Sequence, residues 1–417
     1  MMRTMVILIA CCLCLGLLPA CETKDDKSSL MSLAAGGSSE TGDNEGPGNP
    51  GNTGGTDNTS GGDSSGEIEG TDWPVSPLDG VVVMPETENV VVKNMRYPVI
   101  LVPGWAGTEK FMNSIDYFWQ LKGALTEAGR ETHVADLNCF TTHHVRAAEL
   151  RDFIYTLLFS RVRQIAAAKG IAPAKVDLSD LKFNLLCHSQ GGINARYMVK
   201  VLSMADPRYD DSSKAPLIPA SRFVASMVMI STPNNGTYLA QWAVETKPID
   251  AIGKWVFENI WAGLMAGQKE SDYLNATYNC SEPYMSETFN PLIERIGRRT
   301  PHIKVYAYSA SVPAASPNLN ALIIFPLWAV TNSDPKYNGK NPNDGVTPRQ
   351  SAEWVPGDGE QYGAWRFIKH LQGYIPLIGK VGVDHWMLVN QLMGFHPGFD
   401  TRKFYRDIVT MLEHDGM

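Results

Sequence analysis

Short, uninterrupted apolar runs alternate along this chain with longer stretches whose apolar residues recur every three or four positions. That alternation constrains the fold more than any other feature of the sequence. Pro98-Val-Ile-Leu-Val-Pro103 is a continuous apolar run bounded by Pro and Gly and predicts a buried strand. Ser114–Ala128 carries helical spacing, Glu131–Leu137 reads as a second strand, and Arg146–Lys169 reads as a long helix rich in Ala and Leu. Leu181–Cys187 predicts a strand, Gly191–Met204 a helix and Arg222–Ser231 a strand. His302–Ser309 and Leu322–Val330 are further strand candidates, and Phe404–Leu412 is a closing helix. Strands separated by helices of ten or more residues need crossover connections, hence a mostly parallel sheet with helices on both faces. No fixed-period repeat interrupts this order.

Composition narrows the function. The 417 residues are 44% hydrophobic and 19% charged, which excludes a collagen-like, coiled-coil or polytopic membrane protein. Lys and Arg number 36 against 44 Asp and Glu, giving a formal charge of −8, and no basic cluster occurs locally. The electrostatic footprint of a nucleic-acid partner is therefore absent.

The amino-terminal residues read as an address followed by a tether. Arg3 precedes the apolar run Met5–Leu18, and Leu18-Pro19-Ala20-Cys21 follows, the layout of a signal peptide over residues 1–20. Leu-x-Ala-Cys is similar to the lipobox of bacterial lipoproteins, which makes Cys21 the candidate lipidation site and the cell envelope or outer surface the expected location. The alternative is an ordinary signal peptide with an incidental cysteine. Residues 21–71 are Gly, Ser, Asn, Asp, Thr and Glu with hardly an apolar side chain, and predict a disordered tether. As a flexible coil of about 50 residues it would reach roughly 40 Å. The folded domain then occupies residues 72–417. Of the seven cysteines, only Cys139, Cys187 and Cys280 fall there, so at most one disulfide can form, Cys139–Cys280 being the pair considered.

In parallel sheets, reactive groups collect at the carboxyl ends of strands. The strongest motif on such a turn is Cys187-His188-Ser189-Gln190-Gly191-Gly192. Small residues around the serine permit a tight strand-to-helix turn that lifts its hydroxyl above the sheet edge. His-Ser-x-Gly-Gly arises by chance in under about one in a hundred chains of this length; otherwise Ser189 is a solvent-facing serine on a glycine-rich turn. Val102-Pro103-Gly104-Trp105-Ala106-Gly107 is a second Gly-containing turn, whose Trp105 amide is the natural oxyanion donor beside that of Gln190.

A serine nucleophile needs a base, and the base needs an acid that fixes its tautomer. His188 is constrained by the serine turn and points elsewhere. His143-His144 precede a helix, and no partner spacing supports a metal pair. His385, in Gly382-Val-Asp-His385-Trp-Met, sits late in the chain at a loop-to-helix position and is the candidate base. Asp384 adjoins it and cannot reach its ring in the required orientation. Asp344, in Asn341-Pro-Asn-Asp344-Gly-Val, is the better acid, with Asp334 as its rival. Ser189, Asp344 and His385 then follow the chain order of an α/β-hydrolase.

A family resemblance rests on residues that occur in one order. They are Tyr97-Pro-Val-Ile-Leu-Val-Pro-Gly-Trp, Ile115-Asp-Tyr-Phe-Trp, His144-Val-Arg-Ala-Ala-Glu-Leu150 and His188-Ser-Gln-Gly-Gly. Ser231-Thr-Pro-Asn-Asn-Gly236, Asn343-Asp-Gly345 and His385 with Asn390-Gln391 complete them. Together they resemble the secreted bacterial triacylglycerol lipases related to the Pseudomonas and Burkholderia enzymes, over residues 96–395. The resemblance implies an α/β-hydrolase fold and a carboxylic ester hydrolase. Ser189 is implied as nucleophile, His385 as base, Asp344 as acid, and Trp105 and Gln190 as oxyanion amides. Pro103 departs from the usual His of the oxyanion turn, and Cys187 from the first Gly of the serine motif. The family's calcium site uses an Asp two residues after the catalytic His; here that position is Met387, no second Asp precedes Asp344 suitably, and no such calcium or other cofactor is expected. Arg349–Lys380, with Trp354 and Trp365, separates acid and base more widely than usual.

Ile252, Trp255, Val256, Phe257, Ile260, Trp261, Leu264 and Met265 recur at helical spacing within an inserted stretch at about residues 237–300. They read either as a packed helix or as a lid over the serine that meets lipid when open. The expected activity is hydrolysis of lipid-like esters through an acyl-enzyme. Polyester depolymerase, phospholipase and a non-catalytic surface-binding lipoprotein are the alternatives.

Overall fold

The computed structural model describes residues 96–111, 115–245, 272–296, 299–313, 319–353, 365–376, 378–391, 394 and 396–417. The expected signal peptide and tether, Cys21, the apolar helix positions Ile252 to Met265, and Trp354 lie outside the described residues. No helix among the described residues is long and apolar enough to cross a membrane.

Six strands form one sheet: β1 (Val99–Val102), β2 (Thr132–Val134), β3 (Phe183–His188), β4 (Val224–Ile230), β5 (Lys304–Ala310) and β6 (Trp365–Leu371). Their spatial order is β6-β5-β4-β3-β1-β2, and every neighbouring pair is parallel. Both faces of the sheet are covered, which is why the central strands are apolar throughout rather than alternating. Along β1, Ile100 and Val102 join one buried cluster, while Val99 and Leu101 join the other. The first cluster is closed by α2 (His143–Lys169) and α3 (Gln190–Val201). The second is closed by α1 (Leu121–Glu127) and the carboxyl-terminal helix Thr401–His414.

The long helix α2 shows how the sequence pattern becomes packing. His143, Arg146, Ala147, Leu150, Ile154, Leu158, Val162 and Ala166 fall on one buried stripe at spacings of three and four. Gly170 ends the helix at φ +61°, where its amide reaches the Ala166 and Ala167 carbonyls, a conformation that side-chain-bearing residues adopt at a cost.

The structure departs from the sequence expectations at three places. Leu322–Val330 is not a strand but part of helix Leu319–Asn332. A continuous apolar run has no period to distinguish the two. The sixth strand is instead Trp365–Leu371, whose Arg366, Lys369 and His370 obscured it; it is a sheet edge, where charged side chains are tolerated. The helix expected from Ser114 begins at Leu121, because Ile115–Asp116 pairs antiparallel with Lys110–Phe111.

Helix α3 approaches β1 so closely that a Cβ at Gly191 would run into the Val102 carbonyl oxygen, and one at Gly192 would run into the Thr232 side chain. Gly191→Ala is expected to destabilise the protein by about 3 kcal/mol, since backbone rather than a side chain must yield. Chemical unfolding of the variant beside Gly123→Ala, where the added methyl meets nothing within 4 Å, measures this.

Candidate active site

Ser189 occupies the single residue between β3 and α3, with φ +55° and ψ −132°. A left-handed backbone at a residue with a side chain persists only where its surroundings enforce it. Here the Ser189 amide donates to the Ile230 carbonyl at 3.0 Å, the Gly192 amide donates back to the Ser189 carbonyl at 3.1 Å, and the two glycines make room for the helix. Ala106 and Ser231 are also non-glycine residues at positive φ, +59° and +48°. The former lies on the Gly104–Gly107 turn and the latter beside Asp344, so three strained residues surround one locus.

His385 and Asp344 are joined directly. His385 Nδ1 donates to Asp344 Oδ2 at 2.7 Å, and both residues are buried. The Ser231 hydroxyl donates to the same oxygen, while Asp344 Oδ1 accepts the amides of Val346 at 3.0 Å and Thr347 at 2.7 Å. The His385 amide donates to the Asp344 carbonyl at 3.0 Å, so backbone and ring are fixed together. Asp334 is not at this position: it accepts the Lys336 amide at 3.0 Å and starts the turn Pro335–Tyr337. Asp384 Oδ1 accepts the amides of Trp386 and Met387, each at 2.9 Å, and shapes the turn that carries His385.

The serine turn and the His385 loop meet through His188. Its Nε2 lies 3.1 Å from the His385 carbonyl oxygen, and the two rings stand 4.4 Å apart. A carbonyl can only accept, so Nε2 carries the proton. Nδ1 of the neutral ring then accepts from the Tyr117 hydroxyl at 2.8 Å. The Tyr117 oxygen in turn accepts the Gly104 amide at 3.1 Å. Burial holds both groups neutral, pushing His188 well below the ordinary histidine range and raising Tyr117. Gly104 faces Ser189 so closely that a Cβ there would lie 2.6 Å from the serine Cβ. The Gly104 turn, the serine turn and the His385 loop are thus consecutive links of one hydrogen-bonded chain.

Arg146, fully buried, holds the Gly104 turn from the other side. Its guanidinium donates to the carbonyls of Pro103 at 2.9 Å, Gly104 at 2.8 Å, Gly107 at 3.1 Å and Asn138 at 2.6 Å. Carbonyls turned toward this cation leave the turn's peptide dipoles oriented with amides on the opposite side, as an anion would need. The Trp105 ring packs edge-on against Phe140 at 5.4 Å between centroids. Gln190 is the first residue of α3, where helix geometry supplies its amide with no intrahelical acceptor. Its side-chain Nε2 donates to the Ala276 carbonyl at 3.3 Å, tying the serine turn to helix Tyr273–Tyr278.

Of the residues named from the sequence, the structure pairs Asp344 with His385 and brings the turns that carry Ser189, Gln190 and Trp105 close to them. Sequence reasoning missed Tyr117, Arg146 and Ser231 as parts of the site. Arg146 carried a signal, since a lone Arg on the apolar stripe of a helix must find partners when buried. Cys139, Cys187 and Cys280 are buried thiols, and the Cys139–Cys280 bridge considered above is not made. Burial pushes both of those thiols up to about 12.

A calcium ion does not fit where the resemblance would put it. Met387 presents a fully buried thioether there, its sulfur 3.5 Å from the Asp384 amide, and calcium takes oxygen ligands. Among the described residues no group of three or more His, Cys, Asp or Glu could hold a metal ion.

Six parallel strands with helices on both faces, a serine on the strand-to-helix turn, and a histidine–aspartate pair on later turns complete the pattern. The chain has the α/β-hydrolase fold. No protein-family model matches it. It is 30% identical over 182 residues to the triacylglycerol lipase of Pseudarthrobacter phenanthrenivorans, a stretch covering 42% of this chain and 47% of the relative. It is equally similar over 182 residues to the triacylglycerol lipase of Burkholderia plantarii, covering 42% of each. The chain thus spans less than half the length of these curated relatives. EstA from Clostridium botulinum shares the fold with a TM-score of 0.50 at 17% identity, covering 78% of this chain and 89% of that one.

The buried histidines set a pH limit on stability. His188 and His143 are both held well below the ordinary histidine range, His143 by burial and then by His144. The unfolded chain binds a proton at each below about pH 6.5 while the folded chain does not, so stability falls as pH drops through that value. The expected slope is about 1.4 kcal/mol per pH unit for each ring. Melting temperatures between pH 7 and 5 should decline, and His143→Gln should flatten the decline.

Proposed function

We propose that this protein is a secreted serine carboxylic ester hydrolase that cleaves lipid-like esters through an acyl-enzyme on Ser189. The observation that carries the reading is the buried Asp344–His385 pair, locked through His188 to a strained serine turn. Ser189 Oγ attacks the ester carbonyl carbon as His385 Nε2 takes its proton. The carbonyl oxygen becomes an oxyanion received by the amides of Trp105 and Gln190. Collapse breaks the bond to the alcohol, which leaves with the proton returned by His385. Water, deprotonated by the same ring, then hydrolyses the acyl-serine. Asp344 stays ionised throughout and stabilises the imidazolium, which is the use of a carboxylate already supplied with two backbone amides and a hydroxyl.

The relatives named triacylglycerol lipases favour a lipid acyl chain over a polar one. Within the same reading, the chain is exported by residues 1–20 and held at the bacterial envelope by acylation of Cys21, with residues 21–71 as the tether. Hydrolysis of p-nitrophenyl esters of increasing chain length tests the activity. Ser189→Ala is expected to lower kcat by about 10^6-fold and Asp344→Asn by about 10^4-fold. Activity surviving in Ser189→Ala removes the serine from the mechanism. Absence of hydrolysis from the unaltered chain leaves the non-catalytic lipoprotein, and turnover of phospholipids or polyesters in preference to triglycerides replaces the substrate class.

A further inference from the structure

Between strand β6 and His385 the chain makes a tight hairpin, Gly373–Ile375 against Gly379–Val381, in the register Gly373↔Val381, Tyr374↔Lys380 and Ile375↔Gly379. Its base is clamped. The Tyr374 amide donates to the Gly398 carbonyl at 2.8 Å, and a Cβ at Gly373 would lie 2.8 Å from that same oxygen. Val381 and Val383 are buried, and the Val383 amide donates to the Ser311 carbonyl at 3.1 Å. The Ile378 amide closes the tip on the Ile375 carbonyl at 3.1 Å.

This rigid support presents apolar side chains to solvent. Tyr374 is 63% and Ile378 60% exposed, two of the most exposed large hydrophobics among the described residues, four positions apart. Single exposed apolar residues need no explanation, but two on one clamped tip form a surface for an apolar partner. The surrounding charge is specific too. Residues 373–381 contain no acid, in a chain of net charge −8. Lys380, opposite Tyr374, lines with Lys340 a cavity of about 440 Å³ that has no Asp or Glu in its walls. An apolar tip, an aromatic ring with a polar end and a flanking ammonium together match a lipid–water boundary carrying negative charge. The hairpin also follows the carboxyl end of β6 and runs into His385, so it stands on the sheet edge that holds the candidate site.

We infer that the Tyr374–Ile378 hairpin docks the enzyme on the surface of a lipid-ester aggregate bearing the fatty-acid carboxylates that hydrolysis releases. Ile378 enters the acyl layer, Tyr374 sits at its boundary, and Lys380 and Lys340 face the carboxylates. The occupant rests on the ester-hydrolase reading above, whereas binding itself is measured apart from turnover.

Co-sedimentation with phosphatidylcholine vesicles, with and without oleate, tests the assignment on the full chain carrying Cys21→Ser, so that no acyl anchor contributes. The starting protein is expected to bind oleate-bearing vesicles more tightly than plain ones. Tyr374→Ser with Ile378→Ser should weaken that binding about tenfold or more. Lys380→Gln should remove most of the preference for oleate. Leu217→Ser, which changes a 73% exposed residue on a different hairpin, should bind as the starting protein does. Hydrolysis of dissolved p-nitrophenyl acetate should stay within about twofold in every variant, because no altered residue belongs to the catalytic machinery. Equal vesicle binding by the double variant, equal binding to both vesicle types, or no binding at all overturns the docking surface. Loss of p-nitrophenyl acetate hydrolysis in the starting protein overturns the catalytic reading instead.

Discussion

The carboxylate of Asp344 is the point on which the arrangement turns. A fully buried anion is costly unless its oxygens are supplied with donors, and here two backbone amides, one hydroxyl and one imidazole converge on it. The four donors come from three places: the Asp344 turn itself supplies both amides, the residue after β4 the hydroxyl, and the loop before the last helix the imidazole. Satisfying one charge therefore fixes the mutual position of three segments distant in sequence. The His385 amide also binds the Asp344 carbonyl, so the backbone that carries the ring is held beside the carboxylate that orients it.

The same economy of links extends to the Gly104 turn. Arg146 gathers four carbonyls around the Gly104 turn, and the Gly104 amide begins the path through Tyr117 and His188 to the His385 main chain. Neither Tyr117 nor His188 is placed to exchange a proton with substrate. Their burial keeps them neutral, which preserves the direction of every hydrogen bond in the path. Three of the non-glycine residues with positive φ lie at the junctions of this network. Ala106, Ser189 and Ser231 hold left-handed backbone conformations where the turns meet, as preorganised sites require.

Much of this was legible in the residues, for identifiable reasons. Ser189 could be singled out because a tight strand-to-helix turn needs small neighbours, and in the structure Gly191 lies against β1 and Gly192 against Thr232. Asp344 was preferred to Asp334 because it lies on a turn after the last expected strands, and the structure gives Asp334 a turn-capping role instead. Tyr117 and Ser231 were illegible because their roles depend on tertiary proximity, and nothing local distinguishes a tyrosine that closes a polar path from one that only packs. The strand assigned to Leu322–Val330 failed where an apolar run carried no period. The true edge strand was missed because Arg366, Lys369 and His370 break its apolar run, and a strand at a sheet edge tolerates such residues. The Arg349–Lys380 stretch, which sequence reading could only mark as extra, contains that strand and most of the hairpin beside the site.

In the proposed mechanism the Ser189 hydroxyl is activated by the His385–Asp344 pair. Reaction with an alkyl fluorophosphonate followed by peptide mass mapping tests it most directly, because the adduct reports the activated atom without any choice of substrate. One phosphonylated residue, Ser189, is expected, at a rate that collapses in His385→Gln and falls strongly in Asp344→Asn. Labelling at another serine, or labelling of Ser189 at an unchanged rate in either variant, would contradict it.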